Sequence, residues 1–312
     1  MKVNNLHLIP EPIKSYLDFI PEPDRYISYL FAPLPSYIRI NTLKVSINKA
    51  LDILSRYNIK LSSVNISGLD SFFKISTEEQ LGNLTPYYMG FFYPQALSSA
   101  FPVLALSPKC NEFILDLCAA PGGKTGFISQ VMEDTGLIVA NDRKISRLTA
   151  LTANLKRLGV TNTMVTFYRG ENFPLSTFFD KILLDAPCSG EGKYKLSEDG
   201  RIYFKKQGNT NLPAIQKGLI LRAFDLLSPG GTLIYSTCTI NPEENEAVIT
   251  HLLKKRNAQL ISWEVPKEVT AFEGITEFKG KEYDSRCKRC RRFYTHFIDS
   301  VGFFVAKVVK PK

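Results

Sequence analysis

The segment FILDLCAAPGGKT, residues 113–125, indicates the fold class of this 312-residue chain. Its apolar run is typical of a buried strand, and the small residues and two glycines that follow let the backbone turn tightly and approach a ligand closely. A helix after such a turn directs its first N–H groups at whatever the turn holds. The segment therefore predicts a strand, a ligand-binding turn and a helix.

Downstream of this segment, apolar strand candidates alternate with helical stretches, which favours βαβ units around a mostly parallel sheet, as in Rossmann-like α/β folds. The predicted strands are 113–117, 137–140, 181–184 and 232–235, and the predicted helices are 127–132, 146–158, 215–227 and 243–254. The turn at 228–231 should end the third helix, because proline and glycine cannot sustain it. Residues 302–309 are predicted to form an antiparallel edge strand.

The first part of the chain has a different pattern. Residues 37–44 alternate between apolar and polar side chains as a strand does, residues 47–57 have helical spacing, and residues 72–75 form another strand candidate. We therefore divide the chain into a small α/β unit at 1–106 and a larger α/β domain at 107–312.

Composition and charge restrict the setting of the protein. The net charge of +9 and pI near 9.1 favour a polyanionic partner, although a basic soluble protein without one has the same composition. No apolar run is long enough to cross a bilayer, and residues 1–5 lead into no secretory signal. The six cysteines lack the spacing of a disulfide framework. We expect a cytoplasmic monomer.

A carboxylate follows the glycine turn at a characteristic distance. Asp142 lies about 20 positions after the glycines, where an acidic side chain can accept hydrogen bonds from ribose hydroxyls. The turn matches neither G-x-G-x-x-G nor G-x-x-x-x-G-K-S/T, which argues against a nicotinamide enzyme and a P-loop ATPase. An adenosine-containing cofactor is favoured over a turn that merely connects two elements.

Two cysteines follow two neighbouring strand candidates. Asp185 and Cys188 come after the strand at 181–184, and Cys238 comes after the strand at 232–235. Parallel neighbours would bring all three side chains to the edge of the sheet where ligands bind. Asn241 is predicted to begin a helix whose field favours a thiolate at Cys238. The alternative is that both cysteines are ordinary small buried residues.

Taken together, the motifs resemble the Nop/Sun family of RNA cytosine-5 methyltransferases. The resemblance extends from residue 37 to residue 307. It rests on DLCAAPGGKT (116–125), DAPCSG (185–190) and YSTCT (235–239), with further matches at RINTLK (39–44), YPQALSS (93–99) and GFFVAK (302–307). It implies an RNA-binding N-terminal domain, a methyltransferase catalytic domain and S-adenosylmethionine as cofactor.

The resemblance also implies the roles of individual residues. Cys238 would add to carbon 6 of the base, Cys188 would assist product release, and Asp185 would contact the cytosine near N3. Such chemistry needs a thiolate because carbon 5 of cytosine becomes nucleophilic only after addition at carbon 6. The implied cofactor-binding residues are Cys118, Ala119, Ala120, Pro121, Gly122, Gly123, Lys124, Asp142, Arg147 and Asp185.

One position departs from the family pattern. Arg169 stands where the family usually has an aspartate that reads adenine, and Glu171 and Asn172 are the nearby substitutes. This departure keeps open an RNA-binding assembly factor with vestigial catalysis. A methyltransferase for exocyclic amines is disfavoured, because Asp185 begins D-A-P-C rather than an N/D-P-P-Y/F site.

Basic residues provide the candidates for RNA contact. The stretch 279–292 mixes basic and aromatic side chains, which suits phosphate contact and base stacking, with a solvated loop as the alternative. Cys287 and Cys290 lie in it, but without a second pair of ligands we predict no metal site. The compact chain favours tRNA as substrate over rRNA. The candidate RNA-binding residues are Arg39, Asn41, Lys44, Lys288, Arg289, Arg291 and Arg292.

Overall fold

A computed structural model describes residue 9, residues 11–195 and residues 211–312, and within these residues two large sheets organise the chain. The first part forms an antiparallel sheet with strand order β2-β3-β1-β4. Its elements are α1 (Glu11–Lys14), α2 (Pro23–Phe31), β1 (Ser36–Ile40), α3 (Ile47–Ser55), β2 (Lys60–Ser63), β3 (Phe72–Ser76), α4 (Thr85–Tyr88), β4 (Phe92–Pro94) and α5 (Phe101–Leu106).

The larger sheet has the strand order β11-β14-β15-β9-β8-β5-β6-β7, with β10 also paired to β15. Strands β5 to β9 are mutually parallel, and β15 runs antiparallel to β9. The elements are β5 (Phe113–Asp116), α6 (Gly123–Val131), β6 (Leu137–Asn141), α7 (Ile145–Leu158), β7 (Thr163–Thr166), β8 (Phe179–Asp185), α8 (Leu212–Asp225), β9 (Leu227–Thr237), α9 (Glu246–Lys255), β10 (Gln259–Ile261), β11 (Phe272–Glu273), β12 (Glu277–Phe278), β13 (Lys281–Glu282), β14 (Arg291–Phe293), α10 (Thr295–Ile298) and β15 (Phe303–Val309). The predicted α/β class is confirmed, and so is the antiparallel direction of the C-terminal strand, but β15 lies between β9 and β14 rather than at the edge of the sheet.

Several predicted boundaries are wrong: α6 begins at Gly123 rather than near residue 127, and residues 228–231, predicted as a turn, belong to β9. Helix α8 begins at Leu212, because Asn211 caps it by accepting from the Ala214 N–H, and it ends before Leu227, which pairs with β8. Helix α9 begins at Glu246 rather than near residue 243. The Asn241 side chain accepts from the Glu243 N–H at 3.0 Å, and this local turn delays the helix.

The small sheet caps the carboxyl end of α7. Asn41 Nδ2 donates to the carbonyl oxygens of Gly90 and Leu158 at 2.9 and 2.8 Å. Lys44 Nζ donates to the Arg157 carbonyl at 2.8 Å. The last carbonyls of a helix have no partner within the helix, so these contacts satisfy them. A Cβ atom on Gly90 would lie 1.9 Å from the Arg157 oxygen, so the two backbones are in direct contact.

Other N-terminal elements also pack on the larger sheet. Tyr26 of α2 shares an apolar cluster with Ile240, which follows the second predicted cysteine strand. Phe101 of α5 stacks against Phe293 with ring centroids 4.6 Å apart, although it precedes the predicted boundary at residue 107. The division into domains 1–106 and 107–312 stays a prediction. Within the part of the chain that the structure describes, no helix combines the length and apolarity needed to span a bilayer.

Candidate active site

The paired strands β8 and β9 bring the two predicted cysteines together. Asp185 and Ser236 are register partners at the ends of these strands. The chain continues from each strand into a loop, and the Sγ atoms of Cys188 and Cys238 lie 3.3 Å apart. The prediction that Asp185, Cys188 and Cys238 converge at one edge of the sheet agrees with this geometry.

The two thiols differ in their proton affinity. The pKa of Cys238 is lowered to about 7, first by the hydrogen bond with Cys188 and then by the charges of Lys193 and Lys124, against the effect of burial. The same hydrogen bond and burial raise the pKa of Cys188. The opposite shifts make Cys238 the more acidic thiol of the pair, and a Cys238 thiolate would accept a hydrogen bond from the Cys188 S–H group. The predicted helix start at Asn241 is not the source of this effect, because α9 begins five residues later.

Asp185 is held from two sides. Ser236 Oγ donates to Asp185 Oδ1 at 2.8 Å, and Lys124 Nζ donates to Oδ2 at 2.7 Å. Burial lowers the pKa of Lys124, but the Asp185 carboxylate outweighs burial and the net shift is upward. Lys124 is thus a permanent cation beside the carboxyl group, and it lies in the first turn of α6, directly after the loop that follows β5. The contact joins the predicted cofactor loop to the cysteine site.

The loop that carries Cys188 is fixed by Glu244. The Ser189 N–H and the Gln216 amide both donate to Glu244 Oε2 at 2.9 Å. Tyr235 Oη donates to the Glu244 carbonyl at 2.6 Å. These contacts connect β9, α8 and the turn before α9, so Cys188 is anchored by three elements. Sequence reasoning missed Glu244, since its partners are distant in the chain.

A cavity of about 790 Å³ extends from Cys238 to the ends of β5 and β6. Its walls include Cys118, Ala119, Ala120, Pro121, Gly123, Lys124, Asp142, Arg147, Asp185, Cys188 and Cys238, whereas Gly122 of the predicted set does not line it. Arg147 donates to the Ala120 carbonyl, and its Nη1 lies 3.2 Å from Asp142 Oδ2 as an ion pair.

Two buried carboxylate oxygens at this cavity, Asp116 Oδ1 and Glu171 Oε2, have no hydrogen-bond partner among the described residues, and Asp142 Oδ2 has only the ion pair with Arg147. A buried acceptor without a donor is unfavourable, so these atoms indicate a ligand rich in N–H and O–H groups. Burial raises the pKa of Asp116 to about 7. Ribose hydroxyls and the amino group of adenine supply such donors, and the residues therefore fit S-adenosylmethionine.

Glu171 provides a carboxylate close to Arg169, the position where the family usually has an aspartate. Arg169 does not line the cavity; its guanidinium is largely exposed and donates to Glu171 Oε1 at 3.2 and 3.0 Å. Glu171 lines the cavity, as do Leu117 and Leu219, and its Oε2 is buried without a hydrogen-bond partner among the described residues. Of the two substitutes considered from the sequence, the geometry favours Glu171 over Asn172.

Three of the predicted RNA contacts are wrong, because their side chains are buried and paired within the protein. Arg39 donates to Gln95 at 3.1 Å and is fully buried. Asn41 belongs to the contact with α7 described above. Arg292 is buried and forms an ion pair with Glu246, with Nε 2.7 Å from Oε1.

The remaining candidates are on the surface. Lys44, Lys288 and Arg289 are exposed, and Arg291 is half-buried. Cys287 and Cys290 are buried, and Thr250 Oγ1 lies 3.6 Å from the Cys287 sulfur. No group of three histidine, cysteine or acidic side chains in the described ranges is placed to hold a metal ion.

Three features define an S-adenosylmethionine-dependent methyltransferase of the Rossmann-like type. They are the parallel sheet, the cavity with buried carboxylate acceptors and the loop after β5. Residues 103–309 match the family model described as "16S rRNA methyltransferase RsmB/F", and the chain belongs to this family. The predicted resemblance is confirmed, and the named relatives are RNA cytosine-C5 methyltransferases.

Two curated relatives and one solved structure illustrate the similarity. The chain is 37% identical to the tRNA (cytosine(49)-C(5))-methyltransferase of Pyrococcus abyssi, over 93% of this chain and 93% of that protein. It is 38% identical to the 28S rRNA (cytosine-C(5))-methyltransferase of Mus musculus over 89% of this chain, but spans only 35% of the mouse protein. A methyltransferase homolog protein from Pyrococcus horikoshii has a TM-score of 0.80 and 31% identity, covering 98% of this chain and 97% of that chain.

Proposed function

We propose that this protein methylates carbon 5 of a cytosine in tRNA, and that Cys238 forms a covalent bond with carbon 6 of the base. The observation that carries the proposal is the thiol pair: Cys238 has its pKa lowered to about 7 and lies 3.3 Å from the sulfur of Cys188. A thiolate at neutral pH beside a fixed carboxyl group is the arrangement that addition to a pyrimidine requires.

The residues of the chain have separate tasks in this reaction. The Cys238 thiolate adds to carbon 6. The electron pair of the double bond between carbons 5 and 6 shifts within the ring and makes carbon 5 nucleophilic. Asp185, held by Ser236 and Lys124, faces the developing charge near N3. S-adenosylmethionine supplies an electrophilic methyl group, and the residues that would hold it are the loop 118–124, Asp142 and Glu171.

Release of the product reverses the addition. After methylation a base from the solvent takes the proton from carbon 5, the electrons of that C–H bond restore the ring double bond, and the bond between carbon 6 and Cys238 breaks to return a thiolate. Cys188 is the group next to that sulfur, and its S–H stabilises the returning thiolate by the hydrogen bond that it makes in the structure. The target base must be extruded from its stack to reach the cavity.

The preference for tRNA is supported by the archaeal relative, which is matched over nearly its whole length. Ribosomal RNA is the second candidate, as the mouse relative acts on 28S rRNA according to its name. We also propose a cytoplasmic monomer, since all six cysteines are unpaired and a reducing compartment keeps the nucleophile active.

The deciding experiment traps the covalent bond. We expect the Cys188→Ala protein, incubated with S-adenosylmethionine and total RNA, to give a slow-migrating protein–RNA band on a denaturing gel. The band should be missing with Cys188→Ala/Cys238→Ala, and sequencing the trapped RNA identifies the target. Methylation by the wild-type protein without any trapped band would contradict the covalent route. If the wild-type protein methylates no RNA, an assembly factor with vestigial catalysis is the better description.

A further inference from the structure

A row of planar side chains leads from the cavity to the protein surface. Tyr93 lines the cavity. The Arg157 guanidinium lies 5.8 Å from the Tyr93 ring centroid and 3.9 Å from that of Tyr87. The Tyr87 and Tyr88 rings follow at 5.9 Å, in an edge-to-face arrangement. We call these four residues, Tyr87, Tyr88, Tyr93 and Arg157, the tyrosine ladder.

The outer end of the tyrosine ladder is open to solvent. Tyr88 is 66% exposed and the neighbouring Met89 is 50% exposed. Tyr87 and Tyr93 are half-buried. Arg157 is fixed by donating to the carbonyl of Tyr87 at 2.7 Å and to that of Phe92 at 3.2 Å. The ladder is thus rigid at its base and accessible at Tyr88.

The surroundings of the tyrosine ladder are positively charged. Neither the segment 84–94 nor helix α7 contains an aspartate or glutamate. The Lys156 side chain is exposed and has no hydrogen-bond or ion-pair partner among the described residues, and Lys144 is exposed and lines the cavity. Two segments that carry aromatic rings and cations but no acids suit contact with a single-stranded nucleic acid.

We infer that the tyrosine ladder is the stacking surface for nucleotides that flank the target cytosine. This inference rests on the proposed function, because extruding a base leaves its neighbours without a stacking partner. Tyr88 would receive a neighbouring base on its ring, and Lys156 would contact the backbone phosphate. The ladder ends at the cavity wall, so a strand lying along it is directed toward Cys238.

A protein partner is the competing occupant, since exposed tyrosine and methionine are also common at protein interfaces. The absence of acids from both segments and the contact of the ladder with the cavity favour RNA. If this surface binds a protein instead, substitutions at Tyr88 should leave the RNA affinity of the purified protein unchanged.

The test measures RNA binding by Tyr88 variants. With tRNA and rRNA as probes, Tyr88→Ala should raise both the Kd and the KM for RNA about tenfold, because one base loses its stacking partner. Tyr88→Phe keeps the ring and should bind like wild type. Phe178→Ala is the matched control, since Phe178 is 54% exposed but lies before the amino end of β8, away from the cavity. The Kd for S-adenosylmethionine should not change.

A second variant tests the phosphate contact. Lys156→Ala should reduce the slope of log Kd against log salt by about one, as expected for the loss of one phosphate contact. Tyr88→Ala that binds and methylates RNA like wild type would overturn the inference and assign this surface to another partner. If the wild-type protein binds RNA but methylates none, the proposed function fails. The Kd values of the Tyr88 variants would still show whether the tyrosine ladder contacts RNA.

Discussion

The sulfurs of Cys188 and Cys238 lie 3.3 Å apart, and the hydrogen bond between them lowers the pKa of Cys238 and raises that of Cys188. Both cysteines lie in loops that follow two adjacent parallel strands. Burial alone would raise the pKa of each thiol and keep both sulfurs protonated. The charges of Lys193 and Lys124 lower the pKa of Cys238, whereas burial and the charges of Asp185 and Glu244 raise the pKa of Cys188. The assignment of the nucleophile therefore has an electrostatic basis in this chain.

The first prediction concerns the ionisation of Cys238. Its alkylation by iodoacetamide should rise with pH through a midpoint near 7, because the thiolate is the reactive form. Cys188→Ala removes the hydrogen bond, so the pKa of Cys238 should increase and the midpoint should move to higher pH. Peptide mass spectrometry measures both profiles, with the exposed Cys110 as an internal reference. An unchanged midpoint would show that Cys188 does not stabilise the thiolate.

The second prediction concerns cofactor recognition by Glu171. Glu171→Ala should weaken S-adenosylmethionine binding by about tenfold, since a charge-assisted hydrogen bond typically contributes about 1.5–3 kcal/mol. Isothermal titration calorimetry measures the change. Arg169→Ala should have a smaller effect, because Arg169 only orients the carboxylate. Equal affinities for wild type and Glu171→Ala would exclude Glu171 from the cofactor site.

The third prediction separates two neighbouring arginines. Arg292→Ala leaves Glu246 as an unpaired buried charge and should lower the free energy of unfolding by about 3–5 kcal/mol. Arg291→Ala, on the same strand but half-buried, should change it by less than about 0.5 kcal/mol. Urea denaturation followed by circular dichroism compares them. Similar values for the two variants would contradict the pairing of Arg292 with Glu246.

The fourth prediction concerns two glycines with the same backbone conformation. Gly90 has φ 75° and Gly280 has φ 72°, so alanine at either position is strained by about 1–2 kcal/mol. Gly90→Ala additionally forces the small sheet away from Arg157, whereas a Cβ on Gly280 meets no atom within 4 Å. Gly90→Ala should therefore be the less stable variant in denaturant titrations and should methylate RNA more slowly. Equal stabilities would mean that the backbone contact can relax.

Much of the fold and the centre of the site could be predicted because they depend on local patterns. Alternating strands and helices predicted a mostly parallel sheet but not its strand order, and parallel strands place the residues after them at one edge. Asp185, Cys188 and Cys238 were found in this way. Short elements such as β7 and β10 were missed, since three or four residues carry little periodicity.

Burial of charged residues could not be predicted. Arg291 and Arg292 are adjacent and chemically identical, yet one is half-buried on the surface and the other is paired with Glu246 in the interior. The difference depends on a partner 46 positions away, which a single sequence does not reveal. The sequence could not distinguish Glu171 from Asn172 as the substitute for the expected aspartate. The turn at Gly170–Asn172 places Glu171 at the cavity, and the sequence does not predict that turn.

The contact between Asn41, Lys44 and the end of α7 has a consequence for cooperativity. Helix α7 belongs to the large sheet, but its last carbonyls find their donors in the small sheet. Melting either sheet would leave polar groups of the other without partners, so the two should unfold in a single transition. Calorimetry should accordingly show one peak whose van't Hoff enthalpy equals the calorimetric enthalpy. Residues 107–312 expressed alone should be prone to aggregation, because the end of α7 would lose its cap.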